Sequence, residues 1–280
     1  MTGETIARRP ATDRMAYWQA LDSGRILLMV ASAMLVLAAF AGVVAMNHNH
    51  THTHSVNWRL ALAFGAFIAF GELLRLALPG GRESAPIAMV GAMAYALLLE
   101  VPSRHGPHFV SYNALLVIAV SAVGMTLGAL PHIAAGRPAG LTGMCGRLVA
   151  VSCVAFVFRS LVTQWFVDLP WEVVCTVVTL AFLLGWLIDT LIGALIRADD
   201  VGARFAVAVR DELRLQWPLG LAVGASVLIA VFGTEEIGIM ELAVFIGPLL
   251  VTQVAFRRYA GIRATYLQTV RSLARVTEVA

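Results

Sequence analysis

The 280-residue sequence contains no lysine, and charged residues of any kind make up only 13% of it. Soluble domains of ordinary composition carry about twice that share of charge. Hydrophobic residues account for 59% of the chain, and the mean hydropathy is +0.81. So little polar surface cannot cover a water-soluble core of this size. The composition therefore predicts a protein whose main solvent is lipid.

A basic stripe, paired cysteines and catalytic motifs are also missing, and each absence excludes a class of function. All twenty basic residues are arginines, and they form no stripe interleaved with aromatics, so the sequence predicts no nucleic-acid partner. Cys145, Cys153 and Cys175 show no paired metal spacing and are interpreted as small buried hydrophobes. No P-loop, nucleophile elbow or dinucleotide fingerprint occurs, so no catalytic site is predicted in the chain.

Long apolar runs dominate what remains. Residues 1–25 are polar and predict a cytoplasmic segment, not a cleavable signal, because the first apolar run is too long for one. The runs lack the alternation of strands, so the sequence predicts an all-α, polytopic transmembrane bundle over residues 26–256. Eight spans are expected, at 26–46, 60–79, 85–101, 109–130, 148–167, 173–196, 217–233 and 237–256.

The arginines indicate how these spans are oriented. Cytoplasmic loops of membrane proteins carry an excess of basic residues. Alternate loops here are rich in arginine, and the opposite loops hold only Arg59 and Arg104. The pattern predicts a plasma-membrane protein with both termini in the cytoplasm. The arginines on the predicted inner side are Arg8, Arg9, Arg14, Arg25, Arg82, Arg137, Arg147, Arg197, Arg204, Arg210, Arg214, Arg257, Arg258 and Arg263.

One segment between spans is amphipathic. In residues 199–216, Val201, Phe205, Val209 and Leu213 recur every four positions, with charged residues elsewhere. This spacing predicts a helix whose apolar face lies on the inner leaflet.

Glu72, Arg159 and Asp189 lie well inside apolar runs, and Arg75 lies nearer the end of its run, where it can snorkel. A charge at the bilayer centre costs about 2.5–3.5 kcal/mol on insertion scales, so it normally faces the bundle interior and has a partner. At about 1.5 Å per residue, Arg159 lies roughly 16 Å from the inner end of its span, and Glu72 and Asp189 roughly 10 Å from theirs. We therefore predict that Arg159 pairs with Asp189 or Glu72. The network is either a static ion pair or a proton-sensitive switch.

A histidine-rich tract follows the first span. His48, His50, His52 and His54 alternate, which places them on one face of an extended chain. Imidazoles at this spacing can close on a Zn²⁺ or Cu²⁺ ion, and they also titrate near pH 6.5. The alternatives are therefore a divalent-metal site, a sensor of external acidity, or a polar tract of biased composition.

The last segment, 257–280, continues from the final span without a helix breaker. Its apolar residues are spaced by three and four, which predicts a cytoplasmic helix with a heptad seam. Such a seam predicts either a homodimer through this helix or packing on the 199–216 helix of the same chain. The seam residues are Tyr259, Ile262, Tyr266, Thr269, Leu273 and Val276.

Two stretches resemble a known family. Residues 255–280 (AFRRYAGIRATYLQTVRSLARVTEVA) resemble the linker that enters the HD-type phosphohydrolase domain of actinobacterial membrane proteins. Residues 70–86 (FGELLRLALPGGRESAP) resemble the membrane region of the same proteins, with Glu72, Arg75 and Arg82 at matching positions. These proteins are similar to the HD-GYP class linked to cyclic dinucleotide turnover. The HD motif itself is absent from these 280 residues, so the resemblance implies a sensor or anchor role and an output domain after the C-terminus.

Three functions follow as hypotheses. The leading one is the membrane sensor and anchor module of a bacterial signalling protein. The second is a small transporter or channel-like protein that uses Glu72, Arg159 and Asp189 as a polar path. The third is a structural membrane subunit.

Overall fold

The structure, a computed structural model, describes residues 23–48, 58–77, 83–98, 114–134, 140–165, 171–201 and 204–233, and nine single positions between Val251 and Val270. The continuous ranges hold seven helices, and every described position between Val251 and Val270 is helical as well. The all-α prediction is therefore confirmed. The helices are α1 (Ser23–His48), α2 (Trp58–Leu73), α3 (Pro86–Leu97), α4 (Ala114–Ala134), α5 (Gly140–Trp165), α6 (Trp171–Val201) and α7 (Phe205–Gly233).

Four of these helices are long and apolar enough to cross a membrane: α1, α4, α5 and α6. Their outward surfaces carry large apolar side chains, such as Leu37 on α1 and Leu180 on α6, which are more than half exposed. Apolar residues on the outside of a helical bundle suit a hydrocarbon solvent. The chain is thus a membrane protein by length and composition of its helices.

Helix α3 forms the centre of the bundle. It has 12 residues, all of them buried, and it contacts α2, α4, α5, α6 and α7. At about 1.5 Å per residue it is roughly 18 Å long, too short to cross about 30 Å of hydrocarbon. The third predicted span is therefore a short core helix, enclosed by the helices around it.

A short hairpin leads from α2 into α3. Strands β1 (Leu76–Ala77) and β2 (Glu83–Ser84) pair antiparallel. Helix α2 ends at Leu73, six residues before the predicted end of this span at residue 79. The sequence between the two strands contains Pro79, Gly80 and Gly81, residue types that favour turns.

Four contacts place the ends of five helices together. The His132 ring bonds to the Leu73 carbonyl, joining α4 to α2. Arg147 on α5 pairs with Glu72, and a Cβ at Gly146 would lie 2.9 Å from Ile192 on α6. Thr190 on α6 bonds to Gln216 on α7. We call this end of the bundle, which also holds β1 and β2, the hairpin end.

The structure divides the residues around 199–216 differently from the sequence prediction. Residues 199–201 end α6, and residues 205–216 begin α7, which continues through Pro218 to Gly233 as one 29-residue helix. The face of this segment that is buried carries Ala208, Glu212 and Gln216, and Phe205 is exposed. The prediction of a separate helix over 199–216 is thus wrong, since these residues belong to the end of α6 and the start of α7. Contact of the exposed apolar residues, such as Phe205, with the inner leaflet stays a prediction.

Topology can be tested with one residue at each end of the bundle. Arg59, at the start of α2, and Arg204, just before α7, are both exposed. Each is replaced by cysteine in a protein lacking its three native cysteines, and intact cells are treated with an impermeant maleimide. The arginine asymmetry predicts that the hairpin end is cytoplasmic, so Arg59→Cys should be labelled and Arg204→Cys should react only after permeabilisation. The opposite pattern would reverse the orientation.

Candidate functional site

The strongest polar feature of the described chain is Glu72, whose carboxylate is fully buried near the C-terminus of α2. Arg75 donates from Nε to Glu72 Oε1 at 2.9 Å, and Arg147 donates from Nη2 to the same oxygen at 2.6 Å. Both arginines are 5% exposed. One carboxylate oxygen therefore joins two guanidiniums, and through them it connects α2, the chain entering β1, and α5.

A glycine on α4 makes room for this group. A Cβ at Gly128 would lie 2.2 Å from the Ala69 carbonyl oxygen and 2.7 Å from Glu72 Cβ. Gly124, one turn earlier, would meet the Gly65 carbonyl oxygen at 2.7 Å. Small residues four apart allow two helix backbones to approach closely in membranes. The Gly124–Gly128 stripe thus lets α4 lie directly against the part of α2 that carries Glu72.

The prediction for Arg159 is corrected in part. Glu72 is held by Arg75 and Arg147, so the pairing of Arg159 with Glu72 is wrong. Arg159 lies on α5 near the opposite end of the bundle, where its Nη2 donates to the Leu98 carbonyl oxygen at 3.0 Å. Asp189 is half-buried on α6, and its pairing with Arg159 stays a prediction.

The role of Arg159 follows from its acceptor. Leu98 is the C-cap residue of α3, and its backbone is extended. The last carbonyls of a helix lack partners within the helix and carry partial negative charge. A carbonyl buried away from water needs a donor from the protein, and the buried Arg159 guanidinium supplies one. Arg159 therefore terminates the central helix.

Replacing Arg159 by methionine should destabilise the folded protein in detergent by about 1–3 kcal/mol, the usual cost of leaving a buried acceptor unsatisfied. Arg159→Lys should recover part of the loss, because lysine keeps a charged donor on a long stem. The midpoint of unfolding in increasing dodecyl sulfate gives the comparison. A midpoint for Arg159→Met equal to that of the parent would show that the Leu98 contact contributes nothing.

A second polar cluster joins α6 to α7 at the hairpin end. Gln216 Nε2 donates to Glu212 Oε1 at 2.5 Å, and Thr190 Oγ1 donates to Gln216 Oε1 at 3.2 Å. Arg197 Nη1 lies 3.6 Å from Glu212 Oε2. Glu212 is fully buried, whereas the Arg197 side chain is 38% exposed. This chain of contacts fixes the rotation of α7 about its own axis.

The sequence missed two of these buried groups for a shared reason. Arg147 was assigned to an inner loop, and Glu212 to the polar face of a surface helix. In both cases a helix extends further than its apolar core: α5 begins at Gly140, and α7 begins at Phe205. The apolar spacing of Leu141, Met144 and Cys145 ahead of Arg147 was the signal that the helix starts early.

The other predicted site residues lie largely outside the described residues. His48 is the last residue of α1, and His50, His52 and His54 are not described. Within the described ranges no three histidine, cysteine or acidic residues gather into a metal site. The metal site at the histidine tract therefore stays a prediction.

Half of the predicted heptad seam is described. Ile262, Tyr266 and Thr269 are helical and exposed. Tyr259, Leu273 and Val276 lie outside the described residues.

The geometry of the two clusters favours structural and coupling roles over catalysis. The Glu72 carboxylate is occupied by two guanidiniums, and Glu212 is occupied by Gln216 and Arg197. Both clusters instead connect neighbouring helices at the hairpin end. No protein-family model, curated protein or solved structure matches the chain.

Proposed function

We propose that this chain is the membrane sensor and anchor module of a bacterial signalling protein, and that the helix after the bundle carries its output. The observation that supports the proposal most is the exposure of the seam. Ile262 is 70% exposed and Tyr266 is 67% exposed, although both are large and apolar. They are one turn apart, so they form a continuous uncovered stripe.

Three other apolar residues of this segment are exposed. Val251, Val254 and Val270 are also about half exposed or more. Positions such as 251 and 254 lie within the last predicted span, where lipid can cover them. Positions 262 and 266 lie in the segment predicted to be cytoplasmic, where an apolar stripe is favoured only if a protein surface covers it.

A second copy of the same helix is the partner that we propose. A parallel pair of identical helices brings each seam residue against its equivalent, as in a short coiled coil. The alternative is packing of the seam on residues 205–216 of the same chain. The exposure of Ile262 and Tyr266 argues against this alternative at those two positions.

The resemblance to HD-type proteins suggests what the helix controls. We propose that the output domain is a metal-dependent phosphohydrolase of the HD type, acting in cyclic dinucleotide signalling. A pair of helices only three heptads long is marginally stable, so a small change in the bundle suffices to shift its arrangement.

Cysteine cross-linking in native membranes tests the proposal. Single cysteines are placed at 262, 266 and 269 on the seam, and at 258 and 265 beside it, in a protein without native cysteines. Disulfide-linked dimers should be strongest at the seam positions, because equivalent seam residues face each other. Equal yields at all five positions would indicate random collision, and an absence of dimers would rule out signalling by this pairing.

One observation favours the transporter alternative. Helix α3 is short and wholly buried, and buried arginines lie at both of its ends. Transporters use short or interrupted helices of this kind at their substrate sites. Solute flux into liposomes containing the purified protein, abolished by Arg159→Met, would support transport and count against the sensor proposal.

A further inference from the structure

The exposed face of α7 carries two arginines, which lie about one and two helical turns before a tryptophan. Arg210, Arg214, Trp217 and Leu221 follow one another at intervals of four, three and four residues, so they share one side of the helix. All four are exposed, and Trp217 and Leu221 are each 57% exposed. The side chains therefore point away from the bundle towards its surroundings.

The opposite side of α7 holds this face in place. Ala208, Glu212 and Gln216 are buried against α6, and a Cβ at Gly220 would lie 2.5 Å from the Trp186 ring nitrogen. The hydrogen bonds of Gln216 to Glu212 and Thr190 prevent rotation of α7 about its own axis. Arg210 and Arg214 thus cannot turn inward to meet the buried carboxylate of Glu212.

The depth of these residues matches the boundary of a bilayer. The apolar part of α7 begins at Gln216, so Trp217 lies at its edge. At about 1.5 Å per residue, Arg214 lies about 4.5 Å and Arg210 about 10.5 Å beyond Trp217 along the axis. The headgroup layer is roughly 5–8 Å thick on each side of the hydrocarbon. Trp217 is therefore at the level where indole rings prefer to lie, and Arg214 is within the headgroup layer. The backbone of Arg210 lies just beyond that layer, at a distance that its long side chain can span.

We infer that this face of α7 binds the headgroup of an anionic phospholipid. Two guanidiniums one turn apart can donate several hydrogen bonds to one phosphate, while Trp217 and Leu221 contact the acyl chain below it. Asp211, the exposed acid between the two arginines in sequence, makes no ion pair with either of them among the described residues, so their positive charge is available. Basic residues at a membrane surface each contribute about 1 kcal/mol to the attraction of anionic lipid.

The chain supplies a matched control at the other end of the bundle. Trp58 and Arg59 also combine an exposed indole with an exposed arginine. On α2 no second guanidinium lies a turn away from Arg59, since positions 62 and 63 are leucine and alanine. Arg59→Gln therefore removes the same charge from a similar surface without touching the proposed site.

The test is a calorimetric titration of the full chain in neutral detergent with short-chain phosphatidylglycerol or phosphatidylcholine. The parent should bind phosphatidylglycerol at least tenfold more tightly. In the Arg210→Gln/Arg214→Gln variant the affinity should fall about 30-fold, since two basic contacts correspond to about 2 kcal/mol at 1.4 kcal/mol per tenfold. Arg59→Gln should match the parent, and Arg210→Lys/Arg214→Lys should retain part of the preference.

Several results would overturn the inference. These are equal binding of both lipids by the parent, an equal loss in Arg59→Gln, full affinity in the double glutamine variant, or inorganic phosphate that binds as tightly as the lipid. If the double variant does not fold, Arg214→Gln alone and the salt dependence of the parent decide. Binding of phosphatidylglycerol that does not weaken between 50 and 500 mM salt would exclude a contact between surface charges.

Discussion

Glu72→Gln should be the most damaging single substitution among the buried polar groups, with a loss of about 3–5 kcal/mol in the free energy of unfolding. The substitution keeps the shape of the side chain but removes its charge. Arg75 and Arg147, each 5% exposed, would then share a buried site without their anion. Both side chains are almost fully buried, so little water is available to solvate the uncompensated charge.

Glu172→Gln is the control for this effect. Glu172 is also a helix glutamate but is exposed in the first turn of α6, so its loss should change stability by about 0.5 kcal/mol or less. Unfolding midpoints in dodecyl sulfate, followed by circular dichroism, give the comparison. A further variant, Glu72→Gln/Arg147→Leu, should be more stable than Glu72→Gln alone because one uncompensated cation is gone. Similar midpoints for Glu72→Gln and Glu172→Gln would show that the triad contributes little.

Gly128→Ala should be strongly destabilising, whereas Gly65→Ala should be tolerated. Both glycines lie inside helices at the contact of α2 with α4, so alanine improves helix propensity by about 1 kcal/mol at either position. The added Cβ at Gly128 would meet the Ala69 backbone oxygen at 2.2 Å, but at Gly65 its nearest neighbour is Val120 Cγ1 at 3.5 Å. Overpacking of this kind costs about 1–3 kcal/mol, and here backbone must move to relieve it.

The two glycine variants also test the contact between Glu72 and Arg147. At Gly128 the new methyl group would also lie 2.7 Å from Glu72 Cβ, so relief of the clash moves Glu72 away from Arg147. The effects of Gly128→Ala and Arg147→Leu should therefore be less than additive, because each disturbs the same contact. Full additivity, or a Gly65→Ala variant as unstable as Gly128→Ala, would contradict the close approach of the two helices.

The sequence predicted a lipid environment, the helices and the presence of buried charged residues. It did not predict which residues pair with those charges. Glu72 and Arg159 were identified because a charge inside an apolar run is conspicuous. Arg147 was not identified as buried. It lies at the start of its apolar run, where the sequence does not distinguish a buried arginine from an arginine in a loop. Which cation meets Glu72 depends on how α2 and α5 cross, and that crossing depends on close approaches such as the one at Gly128.

The helix boundaries were wrong for a related physical reason. Hydropathy marks the part of a helix that lies in hydrocarbon, whereas the backbone continues to form hydrogen bonds beyond it. Residues 205–216 were separated from the following span because their composition changes there. In the structure Pro218 lies inside α7 without ending it, so composition and backbone conformation change at different residues.

The short central helix has a consequence for how the protein is made. Helices α1, α4, α5 and α6 are each long and apolar enough to enter the bilayer individually, as independent insertion requires. Helix α3 is not, and its final carbonyl receives its donor from Arg159, which is synthesised about 60 residues later. A nascent chain that has left the ribosome only as far as α4 therefore holds an incomplete centre. The end of α3 cannot be satisfied before α5 docks, and α6 and α7, which also contact α3, follow α5 in the chain. A chain arrested before α5 therefore presents an unsatisfied helix end that membrane quality control can recognise.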